Sequence, residues 1–201
     1  MNKQFSKAER TRSFIIESTA EIFNKKGYAG TSLSDLTEAT GLTKGSIYGN
    51  FENKEEVALA VFDYNQSRIT QQVRAQVDAA LSYQEKLLVY ASFYKTLIQG
   101  GALDQGGCPI LNTAVEADDT NSLLRERAAK AIANWKNALS QLIEAGMANG
   151  EFKQGIPVRQ LSLSIIALIE GAIMIAQVTS DPTNMDTIMD SLEGMISQMK
   201  V

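Results

Sequence analysis

Apolar positions recur at helical spacing along nearly the whole chain, and no alternation long enough for a strand interrupts them. The first run, about residues 6–26, carries Ile16, Ala20 and Phe23 on one face. Lys25 and Lys26 suit the negative end of its dipole, and Gly27 suits the left-handed position beyond it. Ser32, with Asp35 in the first turn, opens a second helix that stops before Gly41, and a short third helix starts at Thr43. Asn53 caps a fourth helix, with Glu56 placed like the acid of a capping box; Val57, Val61 and Tyr64 carry it to about Leu81. A fifth carries Leu87, Ala91, Tyr94 and Ile98 and runs into a Gly-rich loop. Pro109, Pro157 and Pro182 each precede an apolar-periodic run, as expected for proline at a first helical position. Between the first two lies a long helix, about residues 122–149, with Ala128, Ala131, Trp135, Leu139 and Leu142 on its apolar side. The last two helices are placed at about 157–179 and 182–200. The expected fold is all-α with about nine helices.

Composition then narrows the chemistry. Histidine is absent from the 201 residues, which removes the commonest general base and the commonest transition-metal ligand together. One cysteine leaves no intrachain disulfide and no cysteine-based zinc or iron–sulfur site. Ser-His-Asp and Cys-His nucleophiles are excluded, and no paired-carboxylate constellation stands out, so neither an enzyme nor a metal or other cofactor is expected. The net charge of −4 is unevenly spread. Residues 1–50 carry seven Lys and Arg against five Asp and Glu, a net +2; the remainder carries 12 against 18, a net −6. That pattern is compatible with a small nucleic-acid-binding head on an acidic body. The N-terminus, MNKQFSKAERTR, has no apolar segment behind it, and the richest apolar stretch, 161–178, is interrupted by Ser162, Ser164, Glu170 and Gln177. A cytoplasmic protein without membrane association is expected.

Residues 32–51, SLSDLTEATGLTKGSIYGNF, have helix-turn-helix spacing, with Leu36, Leu42 and Ile47 inward and Gly41 in the tight turn. A short helix pair braced by the first helix can offer the start of its second helix to a major groove, and small residues there let the backbone approach base edges.

The longer string from 11 to 62 resembles the DNA-binding domain of the TetR/AcrR family of transcriptional regulators. The resemblance rests on Ala20–Phe23, Gly27–Tyr28, Thr31–Ser32, Gly41, Lys44–Gly45–Ser46–Ile47–Tyr48, Phe51 and Asn53–Lys54–Glu55–Glu56. It implies a DNA-binding head at 1–53 and a ligand-binding and dimerisation body at 54–201. Carried over position by position, it implies that Lys44 and Gly45 approach bases, and that Thr43 touches phosphate or a base. Tyr48 corresponds to a tyrosine whose hydroxyl binds phosphate. Lys54, at a helix start, and Thr31 and Ser32, at another, are expected on phosphates. Ser46 belongs to the same recognition segment. Gly49 and Asn50 depart from the family pattern of an aromatic and a histidine; Asn50 keeps a polar side chain for a backbone or base contact. Lys25 and Lys26 read as a solvated helix end.

In the body, helix eight is apolar nearly all round: Leu161, Ile165, Leu168, Ala172 and Ile175 on one side, Leu163, Ile166, Ile169 and Ile173 on another. Helix nine repeats Met185, Ile188, Leu192, Met195 and Met199 at bundle-seam spacing. Together they point to an intersubunit four-helix bundle, the usual dimer interface of the resembled family. The family also places a ligand pocket in the body, for which Tyr64, Tyr90, Phe93, Tyr94, Asn112 and Trp135 are candidates. Cys108 precedes Pro109; as a helix N-cap its thiolate would be favoured, making it a candidate redox or electrophile sensor. The functional expectation is a homodimeric repressor on a palindromic double-stranded operator, released by a small molecule or an electrophile. The alternative is an all-helical protein–protein adaptor with a vestigial head.

Overall fold

The computed structural model describes residues 6–201; the first five residues of the polar N-terminal stretch lie outside them. Nine α-helices follow one another among the described residues: α1 Lys7–Gly30, α2 Leu33–Thr40, α3 Lys44–Tyr48, α4 Lys54–Ala79, α5 Tyr83–Leu97, α6 Pro109–Ala117, α7 Ser122–Ala148, α8 Val158–Thr179 and α9 Thr183–Ser197. A single wide turn, Ile98–Ala102, extends α5. The one extended pairing among the described residues is an isolated bridge between Phe152 and Lys200. Two compact units form. One takes the chain up to Arg68 together with Pro109–Ala128, and the other is Ile69–Cys108 with Ala129–Val201.

Local chemistry fixes the helix ends of the first unit. Ser6 accepts the Glu9 N–H while the Glu9 carboxylate accepts the Ser6 N–H, a reciprocal cap that opens α1. Gly27, at φ 70° and ψ −179°, breaks the regular α1 backbone after Lys26, and a last turn follows to Gly30. Ser32 and Asp35 form the same reciprocal cap on α2, which Gly41 ends in the left-handed region at φ 66°. Thr43 caps α3 by accepting the Ser46 N–H. Asn53 accepts the Glu56 N–H as expected, but the Glu56 carboxylate turns one residue further back, to the Glu52 N–H.

The core of this unit joins Ile15 and Phe23 of α1 to Leu36, Ile47, Phe51, Val57 and Val61, with Ala117 of α6 and Leu124 of α7. Ile15 rather than Ile16 is the buried position, because the face that meets α2 is rotated one residue from the expected stripe. The core of the second unit draws Leu87, Ala91 and Tyr94 from α5, Leu139 and Ile143 from α7, Ile165, Ile169 and Ile173 from α8, and Met189, Leu192 and Ile196 from α9. α9 packs on both α5 and α8. Ile143 replaces the expected Leu142 by a similar one-residue rotation. Pro109 is the first residue of α6, whereas Pro157 and Pro182 stand one place earlier, as caps of α8 and α9. By length and composition alone α8 would also pass for a membrane span.

Candidate nucleic-acid interface and body site

Ile47 is buried, and half-buried Leu42 packs beside it, so α3 is anchored by one side. The opposite side presents Thr43, Lys44 and Gly45 to solvent, with Ser46, Tyr48 and Asn50 half-buried at its margin. A β-carbon on Gly45 would meet nothing closer than 3.9 Å. Glycine is therefore not demanded by packing there; its effect is to leave the outer surface of α3 low. Lys44 makes no ion pair among the described residues, whereas Lys25 and Lys26 are bound to Glu21 and Asp35 at 2.5 and 2.7 Å.

The residues around α3 are held by hydrogen bonds within the unit. Thr31 is fully buried and its hydroxyl donates to the Gly27 carbonyl at 2.6 Å, so it supports the α1–α2 corner from inside instead of facing solvent. The exposed Ser32 hydroxyl is engaged with Asp35, whose carboxyl is held well below the usual carboxylate range, first by the Lys26 ammonium and then by Ser32. Lys54 donates to the Tyr28 and Thr31 carbonyls at 2.7 and 2.8 Å, and its ammonium lies 4.3 Å from the Tyr28 ring centre. Two of its three N–H groups are thus spent inside the unit. The Asn50 amide donates to the Ser46 carbonyl.

Two residues, Arg12 and Glu116, support this segment in roles that the sequence did not suggest. Arg12 donates to the Asn50 carbonyl and to Glu56, both at 2.6 Å, and lies 3.9 Å from the centre of the Phe51 ring, so it ties the α3–α4 link to α1. Glu116 of α6 accepts the Tyr28 and Ala29 N–H groups at 2.8 and 2.7 Å. No local pattern could have revealed either bond, since the partners stand 38 to 88 residues away in sequence.

The six pocket candidates divide between the units. Tyr64 packs against the first core, and Asn112 donates to the Asn24 carbonyl at 3.0 Å, beside a hollow that Asn65 and Glu116 also line. Tyr90, Phe93, Tyr94 and Trp135 come together in the second unit. The Trp135 ring stacks on Tyr94 and Tyr90 with centres 5.5 and 6.4 Å apart, and Phe93 meets Tyr94 edge-on at 5.3 Å. Beside them the Cys108 thiol donates to Glu170 at 3.1 Å, both groups buried. Burial pushes the Glu170 carboxyl up to about 7 although the thiol bond opposes it, lifts the Tyr90 hydroxyl to about 12, and raises the Tyr94 hydroxyl well above its ordinary value. Cys108 is thus an interior side chain with a carboxyl against its sulfur, not the exposed thiol near cations that marks reactive cysteines.

The residues expected at a subunit interface also divide. Leu161, Ile165, Ala172, Met185 and Leu192 are buried within the chain's own core. Leu168, Ile188 and Met195 are half-buried, and Ile175 is exposed. Ile175 shares the outer side of α8 with Leu163, Met174 and Val178.

A helix-turn-helix segment braced by a first helix, in a chain with a second helical unit, defines a helix-turn-helix transcriptional regulator. Family comparison makes the class specific. Residues 15–61 match the model for bacterial regulatory proteins of the tetR family, and residues 84–192 match the tetracyclin repressor-like C-terminal domain. A TetR-family transcriptional regulator from Cytophaga hutchinsonii has the same fold at TM-score 0.93 and 50% identity, over 99% of each chain. A TetR regulator from Chloroflexus aurantiacus superposes at 0.89 with 35% identity, over 96% of this chain and 98% of that one. The HTH-type transcriptional repressor DhaR of Mycobacterium sp. is 26% identical over 164 residues, 81% of this chain and 80% of DhaR. The chain belongs to the TetR family of bacterial transcriptional regulators, a ligand-responsive family.

Proposed function

We propose that this regulator is a repressor that binds a palindromic operator as a homodimer and leaves it when a small molecule occupies the second unit. The observation that carries the reading is the outer side of α8. Leu163, Ala167, Gly171, Met174 and Val178 succeed one another at spacings of three or four, the period of a helix face. Leu163, Met174 and Val178 are exposed, Val178 at 81%. Outside its own helix backbone and chain neighbours, no described residue lies within 4 Å of a β-carbon built on Gly171, nor of one on Gly194 of α9. An apolar stripe with a flat spot suits the close approach of a like helix from a second copy, and Ile188 and Met195 would contribute their open sides. Two copies related by a two-fold axis carry two α3 segments, and each reads one half-site.

In this reading Lys44 and Gly45 meet base edges, Thr43, Ser46 and Tyr48 bind backbone or adjacent groups, and Lys54 offers its remaining N–H to phosphate. α4 and α7 each have residues in both units, so a displacement in the second unit has a continuous helical route to the first. A ligand that binds one pose better shifts the population of DNA-competent dimers. DhaR, named a repressor, supports the sign of regulation. The buried setting of Cys108 favours a bound small molecule over attack by an electrophile. The test is selection of bound sequences from a random DNA pool, with the mass of the complex measured in parallel. A two-fold symmetric consensus bound by two chains is expected; a single half-site bound by one chain would refute the dimeric reading.

A further inference from the structure

Among the described residues, two polar atoms in the second unit are buried without a hydrogen-bond partner: Oε2 of Glu170 and Nε1 of Trp135. Both side chains are more than nine-tenths buried, at 9% and 8% exposure. They belong to one cluster, since Tyr94 stacks on Trp135 and feels the charge of Glu170. Interior polar groups are as a rule paired, and an interior carboxylate without a cation is costly. Among the described residues the side chain that bonds Glu170 is the Cys108 thiol, and no lysine or arginine bears on it. The two orphans are complementary, one a carboxyl oxygen that a cation would keep ionised and the other an N–H donor. Tyr90 and Tyr94 both stack on the Trp135 ring, so the orphaned N–H belongs to an aromatic cluster.

We infer that Glu170, Trp135, Tyr90 and Tyr94 recognise an organic cation, a quaternary or protonated amine with an apolar body and a hydrogen-bond acceptor. The ammonium lies against Oε2 of Glu170 and the ring faces, which attract cations through their quadrupoles. The acceptor takes the Trp135 N–H. A hard inorganic cation fits less well, because such ions take several oxygen ligands and the cluster offers one free carboxylate oxygen. The rings now stack on one another, so the guest displaces one of them and is held by the others. The inference rests on the ligand-responsive reading above for its consequence at DNA, but not for binding itself.

Trp135 is the single tryptophan of the chain, so its fluorescence reports directly on the cluster. The probes are benzoylcholine, which combines an aromatic ring, an ester acceptor and a quaternary ammonium, and its uncharged carbon analogue 3,3-dimethylbutyl benzoate. Benzoylcholine is expected to give a saturable fluorescence change with affinity at least about tenfold tighter than the analogue. Glu170→Gln is expected to erase that preference and leave the analogue's affinity within about twofold. Tyr90→Leu, which keeps the carboxylate, is expected to weaken the cation more than the analogue, and it serves as the test where Glu170→Gln does not fold. Equal affinity for the two probes, no saturation by benzoylcholine, or a cation preference that survives both substitutions would overturn the inference. Release of selected DNA by an uncharged compound, with benzoylcholine inert, would overturn it and leave the ligand-responsive reading standing. Glu170-dependent binding of benzoylcholine by a protein without sequence-specific DNA affinity would support it while removing that reading.

Discussion

A β-carbon on Gly27 would stand 2.4 Å from Oε2 of Glu116. The same glycine holds φ 70°, the left-handed region, so backbone and neighbour both require its bare α-carbon. The benefit is a carboxylate seated on two backbone N–H groups, those of Tyr28 and Ala29, where α1 breaks. Gly27→Ala is expected to destabilise the protein by about 1–3 kcal/mol, and Glu116→Ala by about 1–2 kcal/mol. In the double variant the losses should fall short of additive, because both changes remove one interaction. Denaturant unfolding of the four proteins checks this; strict additivity would mean that the two residues act independently.

Lys54 and Lys44 are expected to fail in different ways. Lys54→Met removes two hydrogen bonds to the Tyr28 and Thr31 carbonyls and should lower stability without DNA by about 1 kcal/mol. Lys44 is exposed and makes no ion pair among the described residues, so Lys44→Ala should leave the unfolding midpoint unchanged. On selected DNA it should cost about 1–3 kcal/mol and relax preference at one base pair. Thermal unfolding beside DNA titration separates the two, and a Lys44→Ala protein with full affinity and unchanged sequence preference would remove that lysine from the interface.

The contrast shows which parts of the architecture were legible in the chain. Caps and turns were, because Ser32 with Asp35, Thr43 and Gly41 act on backbone groups a few residues away. The helix-turn-helix was legible for the same reason, being a chain of such local signals. Helix phase was less so: Ile15 and Ile16, or Leu142 and Ile143, are equally apolar neighbours, and only the packed partner chooses between them. The two faces of α8 were indistinguishable by hydropathy, so Leu161 and Ile165 could not be sorted from Leu163 and Met174. Glu116 on Tyr28 and Cys108 on Glu170 were hidden because their partners lie 88 and 62 residues away.

The sorted faces of α8 make the proposed dimer testable. Ile175→Asp with Val178→Asp changes residues that the single chain leaves exposed, so the folded chain should persist as a monomer in sedimentation. Losing the second recognition segment should weaken binding to a two-fold operator by about 100-fold or more. Leu192→Ala provides the contrast: Leu192 is buried in the chain's own core, and its truncation should cost about 2–5 kcal/mol of folding stability. A double-aspartate protein that stays dimeric would place the interface elsewhere.

Glu170 should leave a signature in the pH dependence of stability. Its carboxyl is pushed by burial from an ordinary 4.5 to about 7 in the folded protein. Burial raises the Tyr90 hydroxyl to about 12 and the Tyr94 hydroxyl well above its ordinary value, so both stay neutral through this range, and the Cys108 thiol donates to Glu170. Between about 4.5 and about 7 the folded chain holds a proton that the unfolded chain has released. Stability from this group is therefore complete below about 4.5 and is lost as pH rises towards about 7, with a full span of about 3 kcal/mol. Asp35, Glu56 and Glu85 are shifted downward by their hydrogen bonds and act at lower pH, with the opposite sign. Glu170→Gln isolates the contribution, because glutamine cannot ionise. Unfolding free energies of the two proteins from pH 4 to pH 8 should diverge, with the variant gaining relative to the parent as pH rises, by about 1–3 kcal/mol at the alkaline end. Parallel curves would show that Glu170 titrates as an ordinary carboxylate and that its burial carries no such cost.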